Sequence, residues 1–199
     1  MGKSILFYLL IAVGATAQGE RGENPFIRTI YELGGKPKQV MESWVHRAYA
    51  DGDFREGIQN VSSPVHTVKR YGREFQAPDY QRGLAHLKKA SDAGYIAASF
   101  VGAMVLMRSY MLNGEMPETY LRVFAPALAA QELCIGYHLY GDMYARGIGV
   151  GKDPARAAAI YKEGKGSCLR DPVPEWLKTQ IITKYQNARV QSGILSQGQ

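Results

Sequence analysis

Apolar positions in the second half of the chain recur at the three- and four-residue spacing of amphipathic helices. The spacing predicts one helix over residues 95–111 and another over 135–144. In the later segment Tyr140 and Tyr144 are four residues apart, as are Leu139 and Met143. Short turn sequences separate these segments from the apolar runs that follow, so we expect antiparallel pairs of helices.

Three nine-residue segments in this half of the chain start at the same interval of 37 residues, at Asp79, Met116 and Asp153. An interval of this length is typical of helical repeats. Asp79 and Asp153 are predicted to cap helices, with Pro117 and Pro154 at first helical positions. The last position of each segment is large and apolar, so we expect it to face a neighbouring helix: Leu87, Phe124 and Tyr161.

Glycine and proline punctuate these helices. Asn113-Gly114 and Gly147-Ile148-Gly149 are predicted to end the preceding helices, because glycine and asparagine tolerate the left-handed backbone found there. Pro126 falls inside the second helix expected for the middle segment. It predicts a break or an early end near Ala125, because proline removes a backbone donor.

The segment from Leu139 to Tyr161 resembles the Sel-one-like repeat, a relative of the tetratricopeptide repeat. The family pattern has a small residue and a tyrosine in the first helix, a Gly-x-Gly-Val turn, an aspartate, and then alanine and an aromatic residue. The matching residues are Gly141, Tyr144, Gly147, Gly149, Val150, Asp153, Ala157 and Tyr161. A weaker copy begins at Asp79, with Gly83 in place of the usual alanine, and the middle copy is degenerate.

The resemblance implies an all-α fold, namely an α/α solenoid of stacked antiparallel helix pairs with a C-terminal capping helix. We divide the chain into a signal peptide (1–17), an irregular N-terminal helical region (18–78), Sel-one-like repeats (79–170), and a capping helix with its tail (171–199). The capping helix is expected to begin at Glu175. The alternative is an irregular helical domain whose glycines and alanines are ordinary core residues.

The N-terminal segment has the pattern of a secretory signal peptide. Lys3 precedes an apolar run from Ile5 to Val13, and Ala15-Thr16-Ala17 supplies an Ala-x-Ala cleavage site. Cleavage after Ala17 predicts a periplasmic or secreted protein with no remaining membrane span. A retained anchor or a buried first helix is the alternative.

Cys134 and Cys168 are the two cysteines of the chain. In an exported protein a pair is normally oxidised. Cys134 lies near the start of one helix of the last predicted hairpin, and Cys168 just after the end of the other, so antiparallel packing brings them together. We predict a disulfide, with two reduced thiols as the alternative. The pairing also resembles the cysteine-rich exported branch of the family.

Charge and motifs exclude several functions. The formal charge is +6, but no basic run or basic–aromatic stripe indicates specific nucleic-acid binding.

His138 is four residues from Cys134, a metal-ligand spacing, but Cys134 is better assigned to the disulfide. His138 and Asp142 are interpreted as an exposed helical pair. Neither Ser-x-x-Lys nor Lys-Thr-Gly occurs, which argues against serine acylation chemistry.

These features predict a protein that is not an enzyme, needs no cofactor or metal, and binds a protein or peptide. The expected role is an adaptor or scaffold in the cell envelope, because stacked helical hairpins expose a groove suited to a peptide or helix. Two alternatives stay open. One is a hydrolase acting on the cell wall or on β-lactams, and the other is a structural subunit of an envelope secretion complex.

Overall fold

The computed structural model describes residues 24–64, 66–70, 73–113 and 117–193. The predicted signal peptide and Gly114 lie outside these ranges. The described residues form nine helices and one β-hairpin. In chain order the elements are α1 Pro25–Leu33, α2 Lys38–Ala50, α3 Gly52–Ser62, β1 His66–Arg70, β2 Arg73–Ala77, α4 Tyr80–Asp92, α5 Ile96–Asn113, α6 Glu118–Ala130, α7 Cys134–Arg146, α8 Pro154–Arg170 and α9 Glu175–Gln191.

The elements form two compact units. The first contains the described parts of residues 1–30 and 39–116, and the second contains residues 31–38 and the described part of 117–199. In the first unit α3 packs against α4, and α4 packs against α5. In the second unit α6 packs against α7, α7 against α8, and α8 against α9. The prediction of a helical fold with packed neighbouring helices is therefore confirmed.

A β-hairpin lies within residues 18–78, the region for which the sequence predicts only helical character. β1 and β2 are antiparallel, with the Cα of His66 opposite Ala77 and that of Arg70 opposite Arg73. Ser63 has an extended backbone at φ −111° and ψ 148°, as expected for a residue before a proline, here Pro64. The helix therefore ends at this point and the chain continues as a strand.

Aspartate side chains begin the two helices for which we predicted caps. Asp79 accepts a hydrogen bond from the Arg82 amide at 3.0 Å, and Asp153 accepts one from the Arg156 amide at 2.8 Å. Pro154 occupies the first turn of α8 as predicted. The other proline, Pro117, lies one position earlier than expected, at the cap of α6.

Pro126 does not end its helix, so that prediction was wrong. α6 continues from Glu118 to Ala130 with the proline inside it. Phe124 and Leu128 on either side are fully buried. The packing of these side chains outweighs the one backbone hydrogen bond that proline removes.

The turn between α7 and α8 follows the predicted glycine pattern. Gly147 ends α7 in the left-handed region at φ +74°, and Gly149 follows at φ +69°. Two backbone hydrogen bonds then close the turn, from Ile148 to the Met143 carbonyl and from Asp153 to the Tyr144 carbonyl. The turn thus reverses the chain direction between the two helices.

Two glycine–tyrosine contacts hold α7 and α8 together. A Cβ atom on Gly141 of α7 would lie 2.6 Å from Cδ1 of Tyr161, and one on Gly164 of α8 would lie 2.7 Å from Cγ of Tyr137. Each helix therefore supplies one glycine and receives one ring. Because the higher number on α7 pairs with the lower number on α8, the two helices are antiparallel.

The first unit repeats this arrangement with aliphatic side chains. A Cβ atom on Gly57 of α3 would lie 2.7 Å from Cγ of Leu87 on α4, and Gly83 of α4 approaches the Gly57 carbonyl and Val61 of α3. Leu87, Phe124 and Tyr161 occupy equivalent positions of the 37-residue interval, and each is at most 2% exposed. The prediction that this position is buried is confirmed.

α5 is the most apolar helix of the first unit, and its described side chains, those of residues 96–108, are buried on nearly every face. Its buried residues include Phe100, Val101, Val105 and Leu106. In the part of the chain that the structure describes, no helix combines the length and apolar character needed to cross a bilayer.

The predicted start of the last helix at Glu175 is confirmed, because α9 extends from there to Gln191. Leu177, Ile181 and Ala188 are buried along one side of it. α9 packs against α8 and also contacts α7. It therefore covers apolar surface of the preceding hairpin.

Replacing Gly141 with alanine is expected to lower the free energy of unfolding of the second unit by about 1–3 kcal/mol, the usual cost of overpacking a core. The ring of Tyr161 fills the space that the new methyl group needs. Urea denaturation followed by Trp176 fluorescence in a Trp44→Phe background measures this, because Trp44 lies in the first unit.

Gly166→Ala is the matched control, because this glycine also lies inside a helix, α8, but has no atom within 4 Å of the position that a new methyl group would take. It is expected to stabilise α8 by about 0.5–1 kcal/mol through helix propensity. Equal stability of the two variants would contradict the proposed close contact.

Candidate functional site

The disulfide joins the open end of the α7/α8 hairpin. Cys134 is the first residue of α7, and its Cα lies 4.8 Å from that of Cys168, to which it is bonded. Both cysteines are fully buried. The predicted bridge is confirmed, although Cys168 lies within the last turn of α8 rather than after it. The disulfide closes a loop between two residues 34 positions apart. The loss of chain entropy in the unfolded state then stabilises the fold by about 4 kcal/mol.

Most residues of the predicted repeat motif shape the hairpin. Gly141 and Tyr161 form its central contact, Gly147 and Gly149 form its turn, Asp153 caps α8, and Ala157 is fully buried. Tyr144 differs from these residues because its side chain is only half-buried. The motif therefore combines positions with packing or turn roles and one with an accessible aromatic side chain.

A polar cluster lies at the contact of α7, α8 and α9. Asp142 accepts hydrogen bonds from the Tyr161 hydroxyl at 2.5 Å and from the Lys184 ammonium at 2.7 Å. Burial by itself would raise the pKa of Asp142, but the charge and hydrogen bond of Lys184 and the bond from Tyr161 lower it overall. The pKa of Tyr161 is raised, by burial first and then by the adjacent carboxylate.

His138 lies one helical turn from Asp142 and is buried, so the interpretation of these two residues as an exposed pair was wrong. Its Nε2 lies 3.0 Å from the Leu177 carbonyl oxygen. Because a carbonyl only accepts, Nε2–H is the donor. Nδ1 is buried and has no hydrogen-bond partner. Burial, and then the Lys184 charge, lower the pKa of His138 to about 3, so the ring is neutral.

An aromatic and cationic group lies on the outer side of the same hairpin. The rings of Tyr140 and Tyr144 meet edge-on with centroids 5.5 Å apart, and the guanidinium of Arg156 lies 5.9 Å from the Tyr144 centroid. Both tyrosines are half-buried and Arg156 is exposed. We call these three residues the tyrosine–arginine surface.

Five tyrosines are candidates on sequence grounds for lining a groove, and none is assigned to a site: Tyr95, Tyr110, Tyr120, Tyr137 and Tyr144. The side chain of Tyr110 lies outside the described part of the chain. Tyr120 stacks on Phe124 with centroids 6.3 Å apart, and Tyr137 packs on a glycine of α8, so both half-buried rings are engaged in packing within the second unit. Tyr144 is distinguished by its pairing with a second aromatic ring and an exposed cation.

A second polar cluster lies in the first unit. The ring of His86 is held between two carboxylates, with Nδ1 2.7 Å from Asp53 and Nε2 3.1 Å from Glu56. The hydrogen bond from His86 lowers the pKa of Asp53. Partial burial opposes this effect, and the charge of Lys89 adds to it. Both ring nitrogens are occupied, so the cluster connects α3 to α4 rather than offering a free base.

Comparison of the chain with family models, with curated proteins and with solved structures found no match in any of the three. The described residues define a helical protein with one β-hairpin and one disulfide. The resemblance to the Sel-one-like repeat stays a prediction.

Stability of the disulfide-bonded second unit is expected to fall as the pH decreases. The pKa of His138 is about 3 in the folded chain, whereas in the unfolded chain it is near the ordinary histidine value of 6.5. The contribution of neutral His138 to the free energy of unfolding is complete above pH 6.5. It is lost at about 1.4 kcal/mol per pH unit as the pH falls toward 3. Asp142 adds a further loss below its ordinary value of 3.8, because its folded pKa is lowered.

Urea titrations at about pH 6.5, 5.5 and 4.5, read from Trp176, measure this slope. His138→Gln keeps a donor for the Leu177 carbonyl and is expected to flatten the slope. His46→Gln, at an exposed position of α2, is expected to leave it unchanged. A slope that persists in His138→Gln would show that other groups cause the pH dependence.

Proposed function

We propose that this chain is an exported Sel-one-like repeat protein that binds a protein or peptide partner in the cell envelope and acts as an adaptor or scaffold. The tyrosine–arginine surface is the observation that supports this proposal most directly. Tyrosine and arginine are enriched at the centres of protein interfaces, where they supply much of the binding energy.

The packing of the helices supports the repeat assignment. Hairpins α3/α4 and α7/α8 use the same reciprocal contact through glycine, although a β-hairpin replaces the short turn in the first of them. α9 contacts α7 through His138 with Leu177 and through Asp142 with Lys184. Both numbers rise together, so α7 and α9 point the same way, as alternate helices of a solenoid do.

Export is supported by two independent features. The N-terminal sequence carries the pattern of a cleavable signal, and the disulfide requires an oxidising compartment to persist. The cytosol normally keeps such thiols reduced. Together these features support a periplasmic or secreted location for the chain.

The chemistry of the surface indicates the kind of partner. The two phenol rings offer a flat apolar contact with hydroxyl groups at the edge, and Arg156 offers a planar donor for a carboxylate. We infer that the partner presents an apolar side chain beside an acidic one. A short helix or an extended peptide provides both within a single turn or a few residues.

Site-specific crosslinking tests the surface. A photoreactive phenylalanine analogue at position 144 is expected to form a discrete adduct in the envelope fraction, whereas the same group at Asn187, exposed on α9, is not. Equal adducts from both positions would indicate non-specific contact and count against the proposed surface.

Measured affinity for the crosslinked partner tests the energetics. Tyr144→Ala and Arg156→Ala are each expected to weaken binding at least tenfold, or about 1.4 kcal/mol, because both remove contacts at the centre of the surface. Lys162→Ala, at another exposed position of α8, is the matched control and should bind as the wild type does. Unchanged affinity in the first two variants would contradict the assignment.

Export predicts a defined N-terminus. Mass spectrometry of the protein from the envelope fraction is expected to show a chain beginning at Gln18. Ala17→Arg should block processing because the peptidase reads a small residue before the cut, whereas Thr16→Arg, at the unread middle position, should still be processed. A mature chain that retains residues 1–17 would contradict the proposed signal peptide.

A further inference from the structure

In the second unit the buried imidazole of His138 lies beside the disulfide. One ligand atom from each of Cys134, His138 and Cys168 lies within 4.8 Å of the others, and all three residues are buried. Cys134 and His138 are one helical turn apart on α7, and Cys168 reaches them from α8. The oxidised chain uses the sulfurs for the disulfide but leaves Nδ1 of the ring without a partner.

The histidine is oriented as metal-binding histidines usually are. Such residues typically donate one ring N–H to a backbone carbonyl, which fixes the tautomer and leaves the lone pair of the other nitrogen free for the metal. Here Nε2–H donates to the Leu177 carbonyl. Nδ1 therefore carries the free lone pair. A fully buried polar atom without a partner is costly, so this arrangement calls for a ligand.

We propose that the dithiol form of this chain binds one thiophilic d10 cation, Zn2+ or Cu+, through Cys134, Cys168 and Nδ1 of His138. Two thiolates and an imidazole are the ligands these ions share. The metal-bound form and the disulfide form exclude each other, because both use the same two sulfur atoms.

Zn2+ and Cu+ differ in the net charge of the complex and in the number of ligands that each ion takes. Zn2+ with two thiolates gives a neutral complex, which suits a buried site, but zinc usually takes a fourth ligand. Asp142 is the nearest further carboxylate along α7, and its oxygens already accept from Tyr161 and Lys184. Cu+ accepts three ligands, but its complex carries one negative charge that Lys184 would have to balance. The test therefore contains an arm for each ion.

The redox and proton balance is simple. A dithiol reductant transfers two electrons to the disulfide, forming its own disulfide and two protein thiols, through a mixed-disulfide intermediate. Metal binding then releases the two thiol protons. Because both cysteines are fully buried, exchange requires local opening, and metal can also load on a newly synthesised chain before its thiols are oxidised.

The experiment compares the oxidised and reduced forms of the full chain. The protein is unfolded with a phosphine reductant, refolded without oxygen, and titrated with Zn2+ alone or with Cu+ alone against a competing chelator. Native mass spectrometry is expected to show one bound ion in the reduced form and none in the oxidised form. Co2+ substituted for Zn2+ should add thiolate-to-metal charge-transfer absorption.

Variants separate a built site from simple thiol chelation. His138→Gln is expected to weaken binding of the preferred ion at least tenfold, because it removes one of three ligands. The paired change Cys134→Ser and Cys168→Ser should abolish binding. His46→Gln, exposed on α2, should bind as the wild type does. Binding that is unchanged in His138→Gln would overturn the proposal.

If the reduced chain does not refold without metal, circular dichroism measures its helicity before and after the ion is added. In that case the addition of Zn2+ or Cu+ should restore helicity, because binding and folding are coupled at such sites. Neither binding nor recovery of helicity with either ion would overturn the proposal. Binding of one ion in preference to the other identifies the cation.

Discussion

The second unit depends on the close approach of α7 and α8, which two glycines make possible. Gly141 and Gly164 each leave room for a tyrosine ring of the opposite helix. Without a side chain at these positions the helix axes can come closer together, and the large rings then fill the space between them. Because each helix both gives and receives a ring, the contact also fixes which positions face each other along the antiparallel pair.

This one contact places the chemical groups of the hairpin. Its register puts Cys134 opposite Cys168, and it directs the Tyr161 hydroxyl to Asp142. α9 then covers the hairpin and adds Lys184 to Asp142 and the Leu177 carbonyl to His138. The same packing leaves the tyrosine–arginine surface on the outside. The proposed partner surface is therefore accessible, whereas the proposed metal site in the same hairpin is buried.

Sequence reasoning succeeded where the determining interaction is local. Helix starts follow from aspartates that cap the next turn, and the glycine turn after α7 follows from backbone conformations open to glycine. It failed at Pro126, where buried neighbours outweigh a local defect. It also missed the β-hairpin, for which Pro64 was a signal that the helix stops but not that a strand begins. The pair His138 and Asp142 was noticed from its spacing, but its burial was not.

By itself, the sequence determined the 37-residue interval, the two capping aspartates, the burial of the last position of each segment and the pairing of the two cysteines. These follow from short-range rules, or from a count of residues along an antiparallel pair. Only the tertiary structure decided that His138 is neutral and enclosed, that Lys184 joins Asp142, and that Tyr144 remains accessible while Tyr161 does not. The first two properties depend on α9, whose contacts with α7 join residues 39 and 42 positions apart along the chain, and no local pattern encodes which faces such distant helices share.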